Sequence, residues 1–274
     1  MNVALSEKDR KFREFALEGS MWKVIWKVCY PPAIYQSLNQ LFKILDTMMA
    51  AHISANAVST VAYLSQINMA ISALGGGLAV GASIKISEAY GEGNFELVKR
   101  RVSTLFALCG LLGMAILAIL IPVAPQFLRL ANTPKEFIEE GTVYFILELV
   151  SLVIIFFNNV YIAIERARGN SKRILNLNMM VIGIKLSLTA FFVYVLKGGI
   201  NYISIATIVS QLALLGVAVF YMNAKENVFG FSWKAISFRK SVVAPMIKLS
   251  VPVIVEKMAF SLGKVVVNLS LIHI

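Results

Sequence analysis

The sequence has 274 residues, of which 58% are apolar and only 15% are charged, and its net charge is +11. Soluble domains contain about a quarter charged residues, so this chain has too few polar side chains to cover a water-facing surface. The basic residues lie between apolar stretches, which argues against a nucleic-acid-binding face, and Cys29 and Cys109 lie within apolar stretches, which indicates neither a disulfide framework nor a metal site.

The chain begins with a charged segment, residues 1–20, that is unlike a cleaved signal peptide. We predict that it is cytosolic and forms a short surface helix.

Seven apolar stretches follow. A bilayer core of roughly 30 Å requires about 20 apolar residues per helix. The predicted helices lie near 25–50, 57–82, 103–124, 142–164, 174–196, 202–222 and 246–268. They predict an all-α polytopic membrane protein with a six-helix lobe and the beginning of a seventh helix.

The distribution of Lys and Arg predicts the orientation of these helices. If the N-terminus is inside, the inner segments hold 19 basic residues and the outer segments hold 3. Because basic residues accumulate in cytoplasmic loops, we expect a cytoplasmic N-terminus. We expect the chain to lie in the bacterial inner (plasma) membrane and to cross it several times.

The first and seventh stretches resemble each other. At an offset of 221 residues Lys27 matches Lys248, Pro31 matches Pro252 and Lys43 matches Lys264. Repeated halves are typical of transporters. The predicted organisation is a six-helix lobe over 21–223, a cytosolic linker over 224–245, and the first helix of a second lobe over 246–268.

The last six residues, Leu269 to Ile274, read Leu-Ser-Leu-Ile-His-Ile. The codons CTG TCT CTT ATA CAC ATC encode this hexapeptide and match a transposase end sequence that is used in sequencing adapters. We therefore expect 269–274 to be translated adapter, and a stop codon found after Ile274 on resequencing the locus would contradict this.

Several of these stretches resemble the multidrug and toxic compound extrusion (MATE) transporters. Pro31 is followed fifteen residues later by DTMMAAHIS, the second stretch ends in LGGGLAVGASIKISEAYGEGN, and IERARGNSKR, ATIVSQ and KLSVPVIVEKMAFSLG follow in the family's order. The resemblance implies twelve helices in two six-helix lobes. It also implies a secondary antiporter that exports amphipathic or cationic drugs and toxins in exchange for H⁺ or Na⁺ by alternating access, without any other cofactor.

The glycines of the second stretch have a structural interpretation. Gly75 to Gly77 and Gly81 are predicted to let helices approach closely, and Gly91 and Gly93 suit a tight inner turn.

Polar side chains from five predicted helices fall in one layer of the outer leaflet. Ionisable groups within a membrane are costly, so each is a candidate for function. The layer contains Lys43, Asp46, Gln66, Glu148, Lys185, Thr189 and Gln211, with Asn39 just beneath it. We interpret Asp46, Lys43, Glu148, Lys185 and Thr189 as a proton or ion coupling site. Alternatives stay open: Lys43 and Asp46 can form a simple ion pair, Glu148 can be interfacial, and Gln66 and Gln211 can form interhelical hydrogen bonds.

Within the resemblance, Asp46 matches the family's first-helix aspartate, which implies a role in coupling. Lys185 and Thr189 stand where the family often has an asparagine and then an acidic or amide residue. A fixed positive charge at 185 disfavours Na⁺ binding in this lobe. It favours coupling to protons, or a pair between Lys185 and a carboxylate that breaks and reforms.

The substrate cavity is predicted to include Asn39, Gln66, Asn158, Gln211 and Glu256. Glu256 lies four residues after Pro252, near the middle of the bilayer. Asn158 lies toward the inner side of the fourth predicted helix. The alternative role for Asn158 is a hydrogen bond between helices.

Two other functions fit a chain of this kind. A lipid-linked oligosaccharide flippase of the same superfamily also has repeated lobes, but such cavities contain several arginines, and no arginine falls inside a predicted helix here. An intramembrane prenyl or acyl transferase requires an Asp-rich metal motif or a membrane-embedded histidine, whereas His52 lies in a predicted outer loop and His273 in the suspected adapter. We therefore expect a transporter and not an enzyme. Its expected partners are a small organic substrate, the lipid bilayer and a second lobe of the same chain, the complete protein being a monomer.

Overall fold

The computed structural model describes residues 7–130, 135–223 and 227–273; within its helices, the side chains of 8, 36, 39–40, 42–44, 46–47, 55–56, 136–137, 140 and 264–273 lie outside the description. The described chain is helical. The helices are α1 (Glu7–Glu18), α2 (Met21–Ile53), α3 (Ala55–Gly91), α4 (Phe95–Leu120), α5 (Ala124–Leu130), α6 (Lys135–Ala167), α7 (Ser171–Ala190), α8 (Asn201–Met222) and α9 (Lys240–His273), with a π-helix at Phe191–Val195 and a 3₁₀ turn at Trp233–Ala235.

Seven long helices correspond to the seven predicted stretches, which confirms the all-α membrane fold. Among the described residues five helices are long and apolar enough to cross a membrane, by length and composition alone: 57–91, 95–120, 141–167, 171–195 and 201–222. The remaining long helices, α2 and α9, are the two stretches of the predicted repeat, and each continues through its internal prolines, Pro31 and Pro32 in α2 and Pro245 and Pro252 in α9.

The helices extend beyond the apolar stretches that predicted them. α3 continues to Gly91 instead of ending near 82, and α6 continues to Ala167 instead of 164. α9 begins at Lys240, so the last residues of the predicted 224–245 linker are helical. The cause is that backbone hydrogen bonding continues where the sequence has already become polar, whereas hydropathy reports only the lipid-facing length.

The helix α3 lies at the centre of the bundle and packs against α9, α6, α4 and α2. Its contact with α9 depends on glycine. A Cβ added at Gly77 would lie 2.9 Å from the Ile254 backbone, and one at Gly81 would overlap the Ser250 backbone. The Ser250 hydroxyl donates to the Met246 carbonyl at 2.8 Å and lies 3.1 Å from the Leu78 carbonyl across the interface. The prediction of close helix packing is confirmed for Gly77 and Gly81, whereas an added Cβ at Gly76 would make only an ordinary contact at 3.7 Å.

Gly91 and Gly93 were both predicted to suit a tight turn between α3 and α4, and the structure supports this for Gly93. Gly93 has φ +79°, a backbone conformation that favours glycine, and Asn94 caps α4 by accepting from the Leu97 amide at 3.1 Å. Gly91 needs no such freedom, because an added Cβ would meet nothing within 4 Å.

The predicted N-terminal helix forms as α1, but it is docked onto the bundle instead of lying free on a surface. The Tyr90 hydroxyl donates to the Asp9 carbonyl at 2.9 Å, and Arg13 donates to the Gly91 carbonyl at 2.9 Å. Arg168 donates to both carboxylate oxygens of Asp9, at 3.1 and 2.8 Å. The α3–α4 and α6–α7 turns therefore lie at the same end of the bundle as α1.

A buried charged cluster supports this end, which we call the α1 end. Glu165 is fully buried and accepts hydrogen bonds from Asn170 at 2.8 Å and from Arg168 and Arg173 at 3.3 Å. Burial disfavours the charge of Arg168, but the hydrogen bond to Asp9 and the charge of Glu165 outweigh it and hold the guanidinium pKa above its ordinary value. The guanidinium also lies 5.3 Å from the centre of the Phe229 ring.

The segment between α8 and α9 crosses the α1 end. Its Ser232 and Ser237 amides donate to the Ser103 and Thr104 hydroxyls of α4, both at 3.0 Å. Trp233 remains 80% exposed beside this contact. An exposed tryptophan next to membrane-spanning helices is typical of the lipid–water interface.

Candidate functional site

Glu148 of α6 is held between three helices. Its half-buried carboxylate accepts a hydrogen bond from Asn68 of α3 at 2.8 Å and another from Ser204 of α8 at 2.9 Å. Both partners are buried, Ser204 completely. A carboxylate in this position can exchange a proton or a cation, and either change would alter the contacts of three helices at once.

Asn68 and Ser204 were not predicted as site residues. Neutral polar residues are common in membrane helices, and depth along a helix does not give its rotation. Glu148 itself supplies the available signal, because an acidic group inside a membrane requires hydrogen-bond donors on neighbouring helices.

The other predicted coupling residues on α7 lie one turn apart. Lys185 is half-buried, and Thr189 is fully buried. The Thr189 hydroxyl has no hydrogen-bond partner among the described residues. The π-helix Phe191–Val195 follows directly, and π-helical turns are frequent at functional sites.

The predicted residues on α2 are Asn39, Lys43 and Asp46, and their side chains lie outside the described part of the structure. The backbone of α2 packs against α7, so the helices that carry Lys43 and Lys185 are neighbours. An approach of these side chains to one another stays a prediction.

Asn158 and Gln211 meet in the middle of the bundle. The Asn158 amide nitrogen donates to the Gln211 side-chain oxygen at 2.8 Å and to its backbone carbonyl at 2.9 Å, which joins α6 to α8. Gln66 is half-buried on α3, and its side-chain oxygen has no partner among the described residues.

A cavity of about 510 Å³ lies between α2, α3, α6, α7 and α9. Its polar lining includes Asn159 and Arg166 of α6, Asn178 of α7 and Lys257 of α9. The expectation that no arginine lies inside a helix is wrong. α6 runs past the apolar stretch, so Arg166 lies in its last turn.

The predicted cavity residues do not line this cavity: Gln66, Asn158, Gln211 and Glu256 face elsewhere, and Glu256 is exposed. Their immediate neighbours Asn159 and Lys257 line it instead. Adjacent residues point about 100° apart on a helix, so depth alone does not decide which member of each pair faces this cavity. A substrate contact of the predicted residues stays a prediction.

The MatE family profile matches residues 31–191 of the chain. A probable multidrug resistance protein of Bacillus subtilis (strain 168), YoeA, is 22% identical over 256 residues, which is 90% of this chain and 55% of the relative. The chain thus spans about half the length of this curated relative.

Solved structures share the fold. An outward-facing multidrug resistance MATE family transporter of the MOP superfamily has a TM-score of 0.85 and 21% identity over 95% of this chain and 57% of its own. A MOP superfamily transporter from Pyrococcus furiosus, described by the reverse polarity of its binding pocket, has the same score, identity and coverage. At this identity the likeness establishes the helical arrangement alone.

Proposed function

We propose that this chain, which belongs to the MatE family, forms one lobe and the first helix of the next in a secondary antiporter that exports amphipathic organic compounds. Drugs and toxins, including cationic ones, are the cargo that the family resemblance implies. Inward movement of H⁺ or Na⁺ would drive export through alternating access of two lobes. The observation that carries this proposal is the position of Glu148, an acidic side chain inside the bundle that is bound by α3 and α8.

The coupling would act through the hydrogen bonds of that carboxylate. Asn68 and Ser204 donate to Glu148 from two different helices. Protonation turns one acceptor oxygen into a hydroxyl group and removes the negative charge, so the hydrogen bond at that oxygen weakens or reverses its direction. The packing of α3, α6 and α8 would then differ between the protonated and ionised states. Since α3 also carries the contact with α9, the change can reach the helix that begins the second lobe.

The proposed environment follows from the α1 end of the bundle. The predicted inner segments that the structure describes lie together there, and they contain most of the basic residues. We place this end in the cytoplasm of a bacterium, with α2 to α4 and α6 to α9 in the inner membrane. The partners would be lipid, a small organic substrate and the second lobe of the same chain, with the complete protein acting as a monomer and not as an enzyme.

The test is dye efflux from membrane vesicles that contain the product of the complete gene. Proton and Na⁺ gradients are collapsed separately. We expect Glu148→Gln to abolish gradient-driven efflux, because the amide keeps the side-chain shape but cannot exchange a proton. Glu139→Gln is the matched control, since Glu139 lies on the same helix with an exposed side chain.

Efflux that remained fully gradient-dependent in the Glu148→Gln protein would overturn the coupling role. The gradient whose collapse stops wild-type efflux identifies the ion.

A further inference from the structure

The charged side chains that line the cavity between α2, α3, α6, α7 and α9 are basic. Two basic residues line it, Arg166 and Lys257, and among the described residues no acidic side chain lines it. Among the described residues neither cation forms an ion pair. Nearby Arg168 and Arg173 differ in this respect, because both bind the carboxylate of Glu165. The positive charge of the cavity is therefore not neutralised by the part of the protein that the structure describes.

Neutral donors add to this character. Asn159 lines the cavity from α6, opposite Gly76, where an added Cβ would lie 3.7 Å from the amide nitrogen of Asn159. Asn178 lines the same cavity from α7, although its amide nitrogen already donates to the Ile174 carbonyl at 2.8 Å. An amide, a guanidinium and an ammonium all supply N–H donors, which suit the oxygens of an anion.

The remaining walls combine apolar residues with the hydroxyl groups of Tyr35, Ser72 and Ser261. Met69 and Ala73 of α3, Ile162 of α6 and Phe260 of α9 face the same space. A volume of about 510 Å³ lies within the range of cavities that hold small organic ligands. The combination of apolar walls with unneutralised cations suits a ligand that has an apolar body and a negatively charged group.

We propose that this cavity binds an organic anion, with its acidic group between Arg166 and Lys257 and its apolar body against α3 and α9. This proposal rests on the proposed function, since it assigns the charge of the exported compound. It narrows the amphipathic substrates to those that carry a carboxylate, sulfonate or phosphate group. Arg166 belongs to α6 and Lys257 to α9, two helices that both pack against α3, so the bound anion would also join α6 to α9.

The experiment measures equilibrium binding to the chain in lipid nanodiscs of phosphatidylcholine. Two fluorescent probes share a dansyl body, and one ends in a carboxylate while the other ends in a trimethylammonium group. We expect the carboxylate probe to bind more tightly to the wild-type protein. Arg166→Gln and Lys257→Gln should each weaken it about tenfold, because each removes a charged hydrogen-bond donor.

Matched variants separate this effect from general changes in charge. Lys172→Gln and Lys248→Gln remove exposed cations near the same end of the bundle and outside the cavity lining, and neither should change binding. Arg166→Lys and Lys257→Arg keep the charge and should retain most of the affinity. Equal binding of the two probes, or unchanged carboxylate binding in Arg166→Gln and Lys257→Gln, would overturn the proposal.

A second arm identifies the source of the anion. Nanodiscs that contain phosphatidylglycerol are compared with nanodiscs of phosphatidylcholine alone. If phosphatidylglycerol weakens binding of the carboxylate probe to the wild-type protein but not to Arg166→Gln, the occupant is an anionic lipid. If phosphatidylglycerol does not compete with the probe, the occupant is a soluble organic anion.

Because binding needs neither a gradient nor a second lobe, it is independent of the efflux test. If Glu148→Gln leaves coupling intact, the ion-coupling proposal fails while anion binding still stands. If the two probes bind equally well and the Gln variants do not weaken binding of the carboxylate probe, while efflux remains ion-coupled, the anion proposal alone fails.

Discussion

Arg168 joins three separate parts of the chain at the α1 end. It binds Asp9 of α1 and Glu165 of α6, and it lies over the ring of Phe229 in the segment before α9. Asp9 is 3% exposed and Glu165 is fully buried. Removing the guanidinium would therefore leave two buried carboxylates with less compensation.

We expect Arg168→Ala to destabilise the protein by about 3–5 kcal/mol, as is typical when one member of a buried ion pair is removed. Denaturation of the detergent-solubilised protein, followed by circular dichroism, measures the change. Lys11→Ala is the control. The pair between Lys11 and Glu7 is also an ion pair of α1, but both side chains are about 70% exposed, so its loss should have no measurable effect.

The Asn158–Gln211 contact makes a smaller contribution. We expect Asn158→Ala to cost about 0.6–1.7 kcal/mol, the range measured for interhelical hydrogen bonds in a membrane protein. A double-mutant cycle with Gln211→Ala, read by the same denaturation assay, isolates the pair. Additive effects of the two substitutions would show that the contact contributes nothing of its own.

For individual residues, the sequence predicted which helices carry polar side chains but not which of these side chains form hydrogen bonds with one another. Glu148 is the clearest example. Its depth follows from counting residues, but its partners Asn68 and Ser204 depend on how α3 and α8 are rotated about their axes. That rotation is set by packing between helices that are far apart in sequence, which composition and periodicity do not report.

Between elements, α3 approaches α9 closely enough to depend on glycine. Gly81 lies directly against the Ser250 backbone, so a methyl group there can be accommodated only if the helices separate. The Gly-rich end of the second predicted helix indicated this contact, although its partner helix could not be read from the sequence.

We expect Gly81→Ala to destabilise the protein by about 1–3 kcal/mol through overpacking. A thermal-shift assay in detergent provides the measurement. Gly183→Ala is matched to it, because Gly183 is also helical but an added Cβ would meet nothing within 4 Å. There the better helix propensity of alanine should stabilise by up to about 1 kcal/mol. An equal loss of stability in both variants would contradict close packing as the cause.

For the molecule as a whole, the predicted separation of inner from outer segments is the property most open to test. α1, the α3–α4 turn, the α6–α7 turn and the 227–238 segment lie at one end of the bundle. Lys197 lies in the loop between α7 and α8, at the other end.

Single cysteines introduced at Glu92, Lys172 and Lys234 should therefore all react with a membrane-impermeant maleimide from the cytoplasmic side. A cysteine at Lys197 should react from the opposite side. All four positions are exposed, and the background would carry Cys29→Ala and Cys109→Ala. Reaction of the first three positions from different sides would refute the topology.

The overall architecture was accessible from the sequence because lipid imposes a simple length requirement on each helix. The α1 docking was not, because it depends on Asp9 pairing with a residue 159 positions away. The cavity was missed for a related reason. Arg166 lies beyond the apolar stretch, and Glu256 was predicted as the cavity residue, whereas its neighbour Lys257 lines this cavity.

The docking of α1 also has a consequence for biosynthesis. Asp9 leaves the ribosome early, whereas Arg168 and Glu165 follow only after α2, α3, α4 and α6 have been made. During that interval α1 lacks its ion pair with Arg168, although it can bind the Tyr90 and Gly91 end of α3, so it stays more accessible to chaperones and proteases on the side where it is synthesised. Its docking can be completed only after α6 is in place, which makes protection of the N-terminus a signal that the first four long helices have been inserted correctly.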